Sequence, residues 1–386
     1  MKIADFKVER WMDEYERKCE INIAESCVDS LVLEDVLCLC TENHGRTNEA
    51  VYQIKKQEFI NHILQMKLTY GSIEGSDYLK KGIQSLYKKV GPEQIVTTHG
   101  AIAANYLVLM CLVEPEDEVI TIVPTYQQHY SIPESIGAKV HKVQLRSEND
   151  FKLNLDEIRA LVNEKTKLIS FANPNNPTGA ELDVETLNEI AEIARSVNAY
   201  VLSDEAYRGL SLDKDDYTAS IVDIYEKGIS TSSMSKTYAL AGIRTGWVCA
   251  SRDLIEKINI RRDYNHISCS MIDDYIAAIA LENKSAIVNR SKSIIKNNLE
   301  IIDSWIERNP GFSYVKPKAG PVIVIKYDLD MPSKMFCKKL LEVKSVLVIP
   351  GDVLDIPSHF RVGIGNNSDS LVEGLSRISE FYNSIK

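Results

Sequence analysis

Lys236 is the first residue whose neighbours suggest chemistry. It stands in "STSSMSKTYALAGIRTGW", residues 230–247, among small, hydroxylated and apolar side chains, with Arg244 eight positions on. A lysine in a poorly solvated, hydroxyl-lined pocket is expected to have a depressed pKa and can form a Schiff base with an aldehyde. The same stretch also reads as an ordinary charged surface turn. Ser233 to Lys236 further fits S-x-x-K, the serine-acylase pattern, but the accompanying S-D-N and K-T-G elements are absent.

Three other stretches could join it. "FANPNNPTG", residues 171–179, pushes Asn173 and Asn176 out of helical conformation before proline, giving a loop that projects amides or a plain turn. "LSDEAY" ends an apolar run on Asp204, which either caps a helix after it or awaits a buried cation. In "TTHGAIAANY", Gly100 and Ala101 open a helix with no acid in its first turn, a weak but usable anion site.

The elements that must position these residues are βα units. From about residue 94 to 265, seven runs alternate with helical segments: "QIVTTH", "DEVITIV", "AKVHKVQL", "TKLISFA", "AYVLSD", "GISTSS" and "GWVCAS". That predicts an α/β large domain with a mostly parallel seven-stranded sheet, whose ligands lie beyond the carboxyl ends of the strands. A long helical stretch, "DDYIAAIALENKSAIVNRSKSIIKNNLEIIDSWIERN", and the strands "GPVIVIKY", "SVLVIPG" and "HFRVGIG" predict a smaller α/β C-terminal domain. The predicted division is 46–268 for the large domain and 1–45 with 269–386 for the small one.

"NPNNPTG", "SDEAY", "SSMSKTYALAGIRTGW" and "FRVGIG", in this order, resemble the motif series of class I/II aminotransferases, the fold-type I enzymes that use pyridoxal 5′-phosphate (PLP). The resemblance runs from about Tyr70 to the last strand. It implies that Lys236 holds PLP covalently and that Asp204 pairs with the pyridine nitrogen. Tyr207 and Asn176 then donate to the ring's O3′. Ser233 and Arg244 grip the phosphate beside the backbone N–H groups of Gly100 and Ala101, and Tyr126 stacks on the ring. Arg361 receives the substrate's α-carboxylate, and Tyr70 reaches a neighbouring subunit's site, which implies a homodimer.

The implied activity moves an amino group from an L-amino acid to a 2-oxo acid. The same residues also support C–S β-lyases, other eliminations and cyclising enzymes, because surroundings choose the fate of the Cα carbanion. Three departures set this chain apart. The N-terminal "INIAESCVDSLVLEDVL" has no glycine where relatives carry a glycine-containing loop over the substrate. His99 replaces a residue that is often small, and no second arginine suits a side-chain carboxylate.

Composition narrows the partners. The chain has 386 residues, 44% of them apolar, and a net charge of −10. It has no basic stripe for nucleic acid and no apolar run of membrane length, so a cytoplasmic location is expected. A PLP-binding regulatory module would need a DNA-binding segment, and none is visible before residue 45. Eight cysteines without C-x-x-C spacing read as reduced core thiols, with metal ligation at Cys38 and Cys40 disfavoured. "GIGNNS" lacks the context of a dinucleotide site.

Overall fold

The computed structural model describes residues 2–39, 42–43 and 46–386. Cys40 and the expected boundary at residue 45 lie outside them. All seven predicted runs form strands of one sheet: β1 (Ile95–Thr98), β2 (Glu118–Val123), β3 (Lys139–Gln144), β4 (Thr166–Ala172), β5 (Tyr200–Asp204), β6 (Gly228–Ser233) and β7 (Gly246–Cys249). Their spatial order is β1-β7-β6-β5-β4-β2-β3. The pairings from β3 through β2, β4 and β5 to β6 are parallel, and β7 runs antiparallel between β6 and β1. β-Branched runs covered by helices on both faces form such a sheet.

The register decides where chemistry can gather. Ala172 lies opposite Asp204, Asp204 opposite Thr231, and Gly246 opposite both Ser233 and Thr98. The ends of β4, β5, β6 and β1 therefore meet the start of β7 along one rim. The helix α2 (Gly100–Leu112) leaves this rim just after β1 and buries Leu107, Val108 and Leu112 under the sheet with Val119, Leu202 and Val248.

A second sheet of four antiparallel strands has the order β8-β9-β11-β10, from β8 (Phe312–Tyr314), β9 (Val322–Tyr327), β10 (Ile349–Pro350) and β11 (His359–Gly363). The long helical stretch before it is two helices, α3 (Met271–Glu282) and α4 (Lys284–Arg308), rather than one. Asn283 separates them, its amide donating to the Ile279 carbonyl in the competition with backbone bonding expected of asparagine. The helix α5 (Ser368–Ile385) packs against α4 and comes after β11.

The N-terminal segment is tied to this second layer. The helix α1 (Lys7–Tyr15) buries Val8, Trp11 and Tyr15, and the Trp11 indole donates to the Val348 carbonyl at 3.0 Å. Ile21–Asn22 pairs in parallel with Val346–Leu347. Residues 23–28 then run against β11, where Gly363 donates to the Ile23 carbonyl at 2.8 Å. A Cβ on Gly363 would lie 2.0 Å from the Glu25 carbonyl oxygen. The close approach thus draws on a glycine in β11, and the crossing segment needs none.

Candidate active site

The rim of the large sheet and the N-terminal segment enclose a cavity of about 410 Å³. Every residue given a role by the resemblance lines it except Gly100, which directly precedes the lining Ala101, and Tyr70, which is 73% exposed.

Lys236 comes after β6 in the turn toward Arg244. Its Nζ donates to Ser26 Oγ at 2.9 Å and to Cys27 Sγ at 3.2 Å. Burial works to lower the ammonium pKa, but Tyr207 and Cys27 oppose it and the net shift is upward. The expectation of a depressed pKa is corrected on that ground: polar, anion-capable groups face the amine. Cys27 is likewise a cavity thiol rather than a core one. Nζ engages these two side chains and not Ser233, which removes the geometric support for an S-x-x-K serine nucleophile.

Asp204 closes β5 at the cavity floor. Its Oδ1 accepts from the Ala206 amide at 3.1 Å, in a turn rather than at the start of a helix, while Oδ2 accepts from Asn105 Nδ2 at 2.7 Å. Thr231 in turn donates to Asn105 Oδ1 at 2.6 Å. The His129 ring stands 3.7 Å from Oδ2 on the same buried side.

Arg361 reaches the opposite wall from β11. Its Nη1 donates to Asn176 Oδ1 at 3.2 Å and Nη2 to the Ala24 carbonyl at 2.8 Å, while Nε has no partner. Only 4% of the residue is exposed, and among the described residues no carboxylate lies within 4.0 Å of it. Burial pulls its pKa down, with Tyr207, Glu9 and Tyr126 opposing. A buried guanidinium without a counter-ion is costly and suits an arriving carboxylate. By accepting from Arg361, Asn176 leaves its NH₂ group as a donor into the cavity.

At the other end, α2 presents the N–H groups of Gly100 and Ala101. Arg244 Nη1 donates to Ser235 Oγ at 3.2 Å and to the Ala241 carbonyl at 2.9 Å, and the Ser235 amide donates to Ser233 Oγ at 3.3 Å. A Cβ on Gly246 would lie 2.4 Å from the Gly100 carbonyl carbon and 2.7 Å from the Ala101 nitrogen. Helix N-terminus, hydroxyls and guanidinium make a cradle for a phosphate.

The model of the family described as Aminotransferase class I and II matches residues 38–378. The chain belongs to this family. This aminotransferase is 39% identical to a PLP-dependent aminotransferase from Streptococcus suis whose crystal structure superposes with a TM-score of 0.93, covering 100% of this chain and 99% of that one. It is 28% identical to a capreomycidine synthase from Streptomyces vinaceus, over 82% of this chain and 81% of the relative. It is also 27% identical to an arginine–pyruvate transaminase from Pseudomonas aeruginosa, over 84% of each. The aminotransferase is therefore a PLP enzyme of fold-type I.

Its residues fit that cofactor. The cradle at Gly100, Ala101 and Arg244 suits the phosphate, Asp204 suits a protonated ring nitrogen, and Lys236 is the amine within reach. Tyr126 lines the cavity, but its hydroxyl donates to Glu9 Oε1 at 2.7 Å and its ring packs against Phe6 at 4.7 Å. Tyr207 makes only a long 3.4 Å bond to the Ser26 carbonyl.

Sequence reasoning missed Asn105, Ser235, Glu9, Ser26 and Cys27. An asparagine inside the otherwise apolar "AIAANYLVLMCLV" could have marked Asn105. Glu9 carries no local signal, and Ser26 and Cys27 are marked only by lying in the glycine-free segment, since tertiary packing brings all three to the cavity.

Proposed function

We propose that this aminotransferase transfers the amino group of an L-amino acid to a 2-oxo acid, using Lys236 as both the attachment point of PLP and the acid/base. When bound, PLP supplies an aldehyde that captures amines and a ring that accepts the electron pair left at Cα. Arg361 takes the α-carboxylate in a bidentate pair, orienting the Cα–H bond. Asp204, held by Asn105, keeps a proton on the ring nitrogen, and Lys236 Nζ accepts the Cα proton. Tyr207 and Asn176 orient the ring through its phenolic oxygen, and Arg244, Ser233 and the α2 N-terminus anchor the phosphate.

The observation that carries this reading is Arg361: a buried guanidinium with no carboxylate within 4.0 Å among the described residues, in the same cavity as Lys236. Borohydride reduction of the holoenzyme followed by peptide mass analysis tests it. The cofactor mass is expected on the peptide containing Lys236, and Lys236→Ala is expected to lose both that mass and about a thousandfold or more in turnover. Undiminished turnover in the variant would refute the assignment.

A second reading, cyclisation or elimination from the same Cα carbanion, has two observations in its favour. Ser26 and Cys27 set proton-bearing groups against Nζ, and a relative at 28% identity is named a capreomycidine synthase rather than a transaminase. Pyridoxamine phosphate formed from holoenzyme and one amino acid, without an acceptor, separates transamination from both.

The proposal includes the division into 46–268 and 1–45 with 269–386, and a cytoplasmic homodimer. Leu64, Leu68, Tyr70, Ile73 and Tyr264 expose apolar side chains on neighbouring segments, as a face covered by a second copy would. Among the described residues no helix is long and apolar enough to cross a membrane.

A further inference from the structure

We infer that Glu9 is the recognition group for a cationic side chain, so that the amino donor is an L-amino acid ending in an ammonium or guanidinium. The inference rests on the proposed role of Arg361, which sets where the donor's α-carboxylate lies.

Charge matching around the cavity leads to Glu9. Three cations line it, Lys236, Arg244 and Arg361, and the carboxylates are Asp204, Glu9 and Glu25. The phosphate takes Arg244, the ring nitrogen takes Asp204, the aldehyde takes Lys236 and the donor's α-carboxylate takes Arg361. Glu25 leans toward Asn22, whose amide approaches it at 3.4 Å. The Glu9 carboxylate accepts a hydrogen bond from the Tyr126 hydroxyl and has no ion pair within 4.0 Å among the described residues, its pull on Arg361 acting only from farther away. A half-buried carboxylate that receives one neutral hydrogen bond gains most from a charge-assisted second one.

The wall around Glu9 fits the rest of such a side chain. Val8 and Met12, on the same face of α1, line the cavity with it. Apolar contacts leading to a carboxylate match a methylene stem ending in a cation. They would leave a donor's second carboxylate facing a like charge.

The test compares matched donors on the holoenzyme. L-Arginine is set against L-citrulline, its neutral isostere, and 2-methyl-L-ornithine against 2-methyl-L-norvaline, which lack the Cα proton and report binding by calorimetry without turnover. Wild-type protein is expected to favour the cationic member of the ornithine pair in Kd by about ten- to a hundredfold, and the arginine pair in kcat/KM by a similar factor. In Glu9→Gln both ratios are expected to fall to about one, and in Glu9→Asp to recover in part. If Glu9→Gln does not fold, Glu9→Asp with a reduced ratio carries the same information.

Wild-type ratios near one, or ratios that survive Glu9→Gln, overturn the inference. Transamination of neutral donors alone overturns it while leaving the proposed function standing. A cationic preference with only cyclised or eliminated product sustains it while the transaminase reading falls. No binding or reaction with any amino acid ends both.

Discussion

Asn105 Nδ2 donates to Asp204 Oδ2 at 2.7 Å, joining the helix that leaves the phosphate cradle to the carboxylate on the cavity floor. Because Thr231 holds the Asn105 carbonyl, the amide has one orientation and its NH₂ group faces Asp204. On the proposed reading, Asn105 is thus a positioning residue for the carboxylate that would meet the ring nitrogen. Replacing it with leucine, similar in size, removes a hydrogen bond to a charged group worth about 1.5–3 kcal/mol, or roughly ten- to a hundredfold. Asn105→Leu apoprotein titrated with PLP is expected to show a Kd raised by about that factor. An unchanged Kd with a lowered Tm would mean that Asn105 only fills space.

This pair also marks how far the sequence could be read. The strands were legible because each is a short β-branched run bounded by turn residues, and Asn176, Asp204 and Lys236 because each sits in a local motif at a strand end or the loop after it, whereas Arg361 lies in mid-strand and was marked by its motif alone. The rim that gathers them depends on strand order, which local patterns do not encode. Ser26 and Cys27 lie more than two hundred residues from Lys236 and were visible only as a segment lacking glycine. The glycines packed against that segment's backbone are Gly363 and Gly365, in and just after the strand it crosses, so the departure pointed to the right place.

The cradle makes a second prediction, in which one methyl group distinguishes two glycines. At Gly246 a Cβ would press on the Gly100 carbonyl carbon and the Ala101 nitrogen, backbone atoms that cannot swing aside. At Gly242, four residues earlier in the same turn, it would meet nothing within 4 Å. Gly246→Ala is expected to cost about 1–3 kcal/mol of stability and to displace the N–H groups proposed to hold the phosphate. Calorimetry should therefore show a lowered Tm together with weakened PLP retention on dialysis. Gly242→Ala should show neither. Equal behaviour of the two variants would mean that the helix N-terminus shifts freely and is not a fixed cradle.

The neighbouring histidines give a pH dependence whose sign is set by the structure. His99, just before the cradle helix, packs its ring 4.5 Å from that of His266. Burial, the His99 ring and Arg262 together push the His266 pKa from 6.5 down to about 4, against a smaller upward pull from the Thr97 backbone. Between those two values the unfolded chain binds a proton at this position that the folded chain does not. Stability at this site is therefore complete above about pH 6.5, falls as the pH drops toward 4, and changes no further below that. His266→Gln removes the titration and should flatten the acid limb of a Tm–pH curve by about 1–2 kcal/mol, discounted for partial exposure. His99→Ala should shorten the window from its acid end, because losing the second ring lets His266 accept its proton at a higher pH. An NMR titration of the His266 ring checks the assignment directly. A midpoint near 6.5 in the wild-type protein would show that the ring is solvated and that the acid limb arises elsewhere.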